Sequence, residues 1–174
     1  MFPILALPAS LPGSVLAVQD VTEISINHLW MNDPYHLDRF VEAQEGTYDQ
    51  AVAELRRGRK ASHWMWYVFP QIAGLGRSPT AQHFAISSLE EARAYLAHPL
   101  LGPRLREASE ILADELPDRP GLTAESVMGG IDAVKLRSSM TLFDRACDGA
   151  EAVFQRVLDR YFGGELDQAT LDRL

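Results

Sequence analysis

The chain has 174 residues, 47% of them hydrophobic, and 24 Asp and Glu against 16 Lys and Arg, for a net charge of -8. That length suits one domain with a sizeable core, while the acidic balance gives a long-range field of the wrong sign for general attraction to nucleic acid or anionic membrane. No run of about 18 apolar residues exists to cross a bilayer, and the single Cys147 cannot form an internal disulfide, so a reducing, cytoplasmic compartment is expected.

Residues 1–32 differ from the rest. They are apolar and dotted with Pro3, Pro8 and Pro12, and no Lys or Arg appears before Arg39. A secretory signal needs a positive n-region, so the apolar run Phe2 to Leu7 is a poor export signal. Val21, Ile24 and Ile26 alternate weakly, as in a short strand or arm. After Met31, the order Asn32-Asp33-Pro34 predicts a helix start, with an N-cap before a first-turn proline. The natural domain, and with it an alternative translation start, is expected near Met31. The arm before it, flexible or docked, is expected to carry no chemistry.

Leu37, Phe40, Val41, Tyr48, Ala51, Val52 and Leu55 recur at three- and four-residue spacing and predict one helix of about five turns, ended by Gly58. Gln44 falls on the same stripe. A buried amide needs partners, so Gln44 either ties this helix to a neighbouring backbone or faces a pocket. Around Gly58 sit Arg56, Arg57, Arg59 and Lys60. They read as a solvated helix end favoured by its partial negative charge, or as an anion-attracting rim beside His63.

The densest apolar stretch follows, Ser62-His63-Trp64-Met65-Trp66-Tyr67-Val68-Phe69-Pro70-Gln71-Ile72. It is too continuously apolar for a surface helix, and Pro70 fixes its exit. A short buried helix is expected, with Trp64 and Phe69 in the core. Trp66 and Tyr67 carry polar handles that want partners. His63 is a structural histidine, a general base or an anion contact. The loop Gly74-Leu75-Gly76-Arg77 permits tight dihedrals or close approach by a ligand, and the N–H groups after Ser78 could hold an anion. It is neither a Walker motif nor GxGxxG.

Thr80 to Ile86 predicts a short helix exposing Gln82 and His83. Ser88-Leu89-Glu90-Glu91 is a capping box opening a helix to Leu96. Pro99 is expected to start a longer helix with Leu101, Leu105, Ala108 and Leu112 on one face. Residues 115–121 read as a loop. Thr123 should cap a short helix that stops at Gly129-Gly130, and Asp132 should cap the next. That helix buries Leu136, Met140 and Phe143, flanked by Val134, Leu142 and Cys147. Lys135 and Ser139 share a side, as do Arg137 and Thr141. Lysine beside serine can signal an activated nucleophile, but spacing alone carries little, and pairing or anion binding explains it as well. Cys147 reads as a small buried apolar group. Val153, Phe154, Val157, Leu158, Tyr161 and Phe162 form a further stripe ended by Gly163-Gly164, and Asp167 caps a short tail.

The segments Leu37 to Gln44, Ser62 to Trp66, Phe69 to Ile72 with Gly74-Leu75-Gly76, Lys135 to Phe143 and Tyr161 to Gly164 occur in an order that resembles the DUF1810 family. The resemblance begins near Met31. It implies a compact, mainly helical bacterial domain with no assigned biochemical role and no established catalytic residues. The name calpastatin, sometimes attached to that family, does not fit, because calpastatins are disordered inhibitors.

The fold expected is all-α, a compact single-domain orthogonal bundle of about seven helices over 33–174, preceded by a non-helical arm over 1–32. Three functions are compatible with it. The leading one is binding of an anionic or nucleotide-like small molecule by Gln44, His63, Trp66, Arg77, Lys135, Arg137 and Ser139, with Trp66 as a flat wall and the cations on phosphate or carboxylate. The second is a hydrolase or group-transfer enzyme using His63 as acid or base. The third is a non-enzymatic interaction module with an exposed apolar face. No metal-ligand spacing and no cofactor motif is present. No nucleic-acid or membrane partner is expected, and nothing in the sequence specifies an oligomeric state.

Overall fold

The stripe from Leu37 to Leu55 forms two helices, not one. In the computed structural model, which describes residues 33–174, it divides into α1 (Asp38–Gln44) and α2 (Tyr48–Arg56). Gly46 stands between them at φ +71°, the left-handed backbone that ends a helix and that L side chains avoid. Both pieces still bury their apolar faces, Phe40 on α1 and Ala51, Val52 and Leu55 on α2. The first helix begins at Asp38 with Leu37 preceding it, so Asp33 is not its cap. The arm expected over 1–32 lies outside the described residues. The helices belong to the compact unit Tyr35–Leu174.

The aromatic stretch contains the expected short helix, α3 (Met65–Val68), a single turn. Trp64, Met65, Val68, Phe69 and Ile72 are all buried. Beyond Pro70 the chain is extended just long enough for one isolated parallel bridge between Ile72 and Ile86. Then come α4 (Pro79–His83) and α5 (Leu89–Ala97), where the hydroxyls of Ser78 and Ser88 accept from the N–H groups of Ala81 and Glu91. The capping box at Ser88 is half realised. The Glu91 carboxylate reaches back to the N–H and hydroxyl of Ser87 (2.8 and 2.5 Å) and pairs with Arg39 at 2.6 Å, which joins α5 to α1.

Helix α6 (Leu101–Glu110) starts two residues after Pro99 and runs into a π-helical turn, Ile111–Glu115. The wide turn leaves carbonyls to be satisfied from outside. Arg160 donates to the carbonyls of Leu112, Ala113 and Leu116, and the Tyr161 hydroxyl donates to Leu112. A capping box at Thr123 and Ser126 opens α7 (Ala124–Met128). The 17-residue α8 (Gly130–Ala146) follows. Then α9 (Ala152–Phe162) ends on left-handed Gly163, and α10 (Gln168–Leu171) is capped by Asp167.

Helix α8 packs against α5, α7, α9 and α10. Its Leu136, Met140 and Phe143 are fully buried. Edge-on and tilted ring contacts run from Phe40 to Tyr95 (5.1 Å), from Tyr95 to Phe143 (5.4 Å) and from Phe143 to Phe154 (6.0 Å). These are favourable aromatic geometries, and they make one core from α1 to α9. Among the described residues the fold is therefore all-helical, as expected, with ten α-helices and a π-helical turn where about seven helices were expected.

One tie in this core is not apolar. Glu54 of α2 is 1% exposed. Its carboxylate accepts from the N–H groups of Ala61 and Ser62, the Ser62 hydroxyl and the Trp64 indole, at 2.7–3.0 Å. Burial pushes its pKa up, but these hydrogen bonds outweigh burial and hold it at about 2. The central stretch is thus pinned to α2 by a saturated carboxylate.

Candidate functional site

The site grows from the first two turns of α8. The left-handed Gly129 (φ +86°) lets the chain turn directly from α7 into α8, which starts at Gly130. Asp132 therefore lies inside the first turn and does not cap it. There it accepts from two lysines, Lys60 and Lys135, each at 2.7 Å. Burial raises its pKa, and the two ammonium groups more than offset that, so the carboxyl lies below its ordinary range. Two ammonium groups on one carboxylate leave one positive charge in excess. Each lysine also lies over a ring: Lys60 Nζ is 5.1 Å from the Trp64 centroid and Lys135 Nζ is 4.5 Å from that of Trp66, within cation–π range. Lys60 further donates to the Ser62 carbonyl, and its own N–H bonds Val127 O. The basic turn after α2 is thus locked to the α7–α8 junction.

Beside Lys135 opens a cleft of about 350 Å³. Its wall takes Leu75 and Gly76 from the glycine loop, Ile131, Val134 and Lys135 from α8, and Ala169 from α10, with Gln71, Ser138 and Asp167 completing it. Ile131 is 77% exposed and Val134 63%. Hydrogen bonds tie the walls together. Asp167 Oδ2 accepts from the Ser138 hydroxyl and from both the N–H and hydroxyl of Thr170, and its own N–H donates to Thr141. Gly76 is required by packing, because a Cβ there would collide with the Ala81 Cβ. The glycine loop is therefore shaped by its fit on α4.

A larger opening, about 700 Å³, lies between the π-helical turn and α9. Both of its arginines are engaged, with Arg156 on both oxygens of Asp114 and Arg160 on Asp118 and three carbonyls. That is the chemistry of a helix end being satisfied.

Of the residues singled out in the sequence, Trp66 and Lys135 meet. Gln44 is 1% exposed, and its amide donates to the Tyr67 carbonyl (2.8 Å) and the Tyr95 hydroxyl (3.1 Å), the structural alternative raised for it. Arg137 is held by Glu165 and the Leu166 carbonyl. The Arg77 side chain is exposed on the loop that supplies Leu75 and Gly76. Ser139 is wholly buried, and its hydroxyl is without a hydrogen-bond partner among the described residues. His63 is exposed and makes no hydrogen bond or ion pair among them. Cys147 is half-buried at the end of α8, its thiol donating to the Asp144 carbonyl at 3.3 Å.

Val134 was expected among the buried flank of α8 and instead stands exposed. The signal was there: Val134 lies two residues from Leu136, a rotation of about 200°, so the two cannot share a face. Ile131 and Val134, three apart, form a second apolar stripe on the opposite side. Among the described residues no group of three or more His, Cys, Asp or Glu could hold a metal ion, and no helix is long and apolar enough to cross a membrane.

Fold and cleft together define a small all-helical domain with a lysine at the edge of an aliphatic groove. Within that class the chain belongs to the family described as Protein of unknown function (DUF1810), which matches residues 34–174. It is similar to the conserved hypothetical protein Rv1873 from Mycobacterium tuberculosis, known from a crystal structure. The two share 50% identity and a TM-score of 0.77 over 82% of this chain and 98% of that one. No curated protein matches the sequence.

Proposed function

We propose that the protein is a binding domain for a small amphipathic anion, which it takes in the cleft between the glycine loop and the start of α8. The observation that carries this reading is the convergence of exposed aliphatic side chains, Ile131 and Val134 with Leu75, on a lysine whose local carboxylate is shared. An exposed apolar pair beside a concavity favours a ligand with an apolar body, and the excess positive charge favours an anionic end. The volume lies at the lower end of the range for small-molecule sites. The hydrolase reading gains no support, since among the described residues His63 makes no hydrogen bond or ion pair that would orient or polarise it, and it lies outside the cleft wall.

A thermal-shift panel of alkyl carboxylates, sulfates and phosphate monoesters tests the proposal. A ligand at about 100 times its Kd adds about 2.7 kcal/mol to the folded state and raises Tm accordingly. The rise is expected to disappear in Val134→Asp. No shift with any member, or a shift indifferent to that change, removes the reading and leaves the exposed pair as a protein-contact surface.

A further inference from the structure

Resting on the cleft-binding reading above, we infer that the ligand class is an aliphatic monocarboxylate. Its chain lies on Leu75, Ile131 and Val134, and its carboxylate meets Lys135.

Three observations narrow the class. The first is aromatic. Trp66 is the ring nearest in character to a stacking platform, but the Lys135 ammonium lies 4.5 Å over its centroid. The exposed apolar surface that remains is aliphatic. A nucleobase or aryl group gains nothing specific there, whereas an alkyl chain gains burial at every methylene.

The second is charge. Lys60 and Lys135 share the single carboxylate of Asp132, so the excess is one unit and matches a monoanion. Asp167, in the same wall, is engaged by three donors through one oxygen.

The third is donor geometry. An ammonium has three N–H groups. One of Lys135 goes to Asp132 Oδ1 at 2.7 Å, and the ring face of Trp66 takes the charge from a second side without using up the donors. Donor capacity therefore remains for a ligand oxygen. Lys135 is also held in place before the ligand arrives, by Asp132 and Trp66, which lowers the ordering cost of binding.

The test uses the full chain, titrated with butanoate, hexanoate and octanoate, and with 1-octanol, octyl phosphate and octylammonium as headgroup controls. Tryptophan emission is a direct readout, because a carboxylate on Lys135 perturbs the cation over Trp66. Each added methylene is expected to tighten binding about fourfold while it is buried. Lys135→Met should weaken octanoate about tenfold or more and leave 1-octanol within about twofold. Val134→Asp should weaken both. Both substituted side chains are partly or largely exposed, so these variants keep the fold. Octyl phosphate binding more tightly than octanoate would overturn the carboxylate class and leave the cleft reading standing, whereas octylammonium binding more tightly than octanoate would overturn both. Absence of a chain-length trend, with Lys135→Met indifferent, would overturn both.

Discussion

The two ends of α8 are made of similar residues and behave differently. At the C-terminal end Met140, Leu142 and Phe143 are fully buried. At the N-terminal end Ile131 and Val134 are largely exposed. The two aspartates follow the same division. Asp132, between Lys60 and Lys135, is held below the ordinary carboxylate range. Asp144 is buried with Arg145 at 3.7 Å, and burial pushes its carboxyl above that range despite the arginine. It also sits in the last turn, where the helix dipole disfavours a negative charge. One end of the helix therefore supplies cohesion, while the other presents apolar surface to solvent beside a largely buried, pre-set charge. An apolar side chain contributes to stability by what covers it, so the uncovered pair is available to a ligand at almost no cost to the fold.

The division can be broken most strongly at the core end. Phe143→Ala removes a ring that links Tyr95 to Phe154, and a loss of about 3–5 kcal/mol in denaturant unfolding is expected. A loss below about 1 kcal/mol would mean that the aromatic chain is not continuous through α8.

Next is Glu54, which anchors the aromatic stretch that Lys60 and Trp66 share with the cleft. Its pKa falls from 4.5 unfolded to about 2 folded. The unfolded state binds the proton more tightly, so the stabilisation is complete above about pH 4.5 and is lost as pH falls towards 2. The shift corresponds to about 3 kcal/mol at neutral pH. Glu54→Gln is expected to lose much of that and to flatten the acid limb of stability against pH. An unchanged acid limb would show that another carboxylate governs it.

Asp144→Asn should act with the opposite sign. A folded pKa above the unfolded value means that the ionised form is disfavoured in the folded state. The variant is expected to be slightly more stable than the parent at pH 7, with the advantage fading as acid protonates Asp144. A parent more stable than the variant at pH 7 would show that the ionised carboxylate has a partner worth more than its burial costs.

The smallest stability effect belongs to the exposed end. Val134→Ser should change unfolding free energy by no more than about 0.5 kcal/mol and still weaken ligand binding in the cleft. A large stability loss would place Val134 in the core and erase the difference between the two ends.

Much of the fold was legible in the residues. Ser88, Thr123 and Asp167 cap the helices they were expected to cap, because capping is a bond between a side chain and a backbone N–H two or three residues on, while at Ser78 the N–H expected to be open to an anion is taken by the serine's own hydroxyl. The core face of α8 and the stripe of α9 followed from their 3.6-residue period. Other features could not be read this way. A glycine such as Gly46 can be tolerated in a helix or can end it, and only the packing of α1 and α2 makes the left-handed backbone the better choice. Glu54 looked like any helix carboxylate, since its donors lie seven to ten residues away and converge only when the chain folds back. Glu91 resembled the second half of a capping box and went instead to Ser87 and Arg39.

The same holds for the site. Lys135 and Trp66 were legible as residues that could meet, by residue type alone. Gln44 and Arg137 were equally plausible, and tertiary contacts committed them elsewhere, to Tyr67 and Tyr95 and to Glu165. By itself the sequence determined the helical class, most apolar faces and the ends marked by a capping side chain or a terminal glycine, because those depend on neighbours within about one turn. The cleft was decided by the tertiary structure. Leu75, Ile131 and Ala169 are far apart in the chain, and one lysine's charge goes unmatched only because Lys60 is brought to the aspartate that Lys135 also uses.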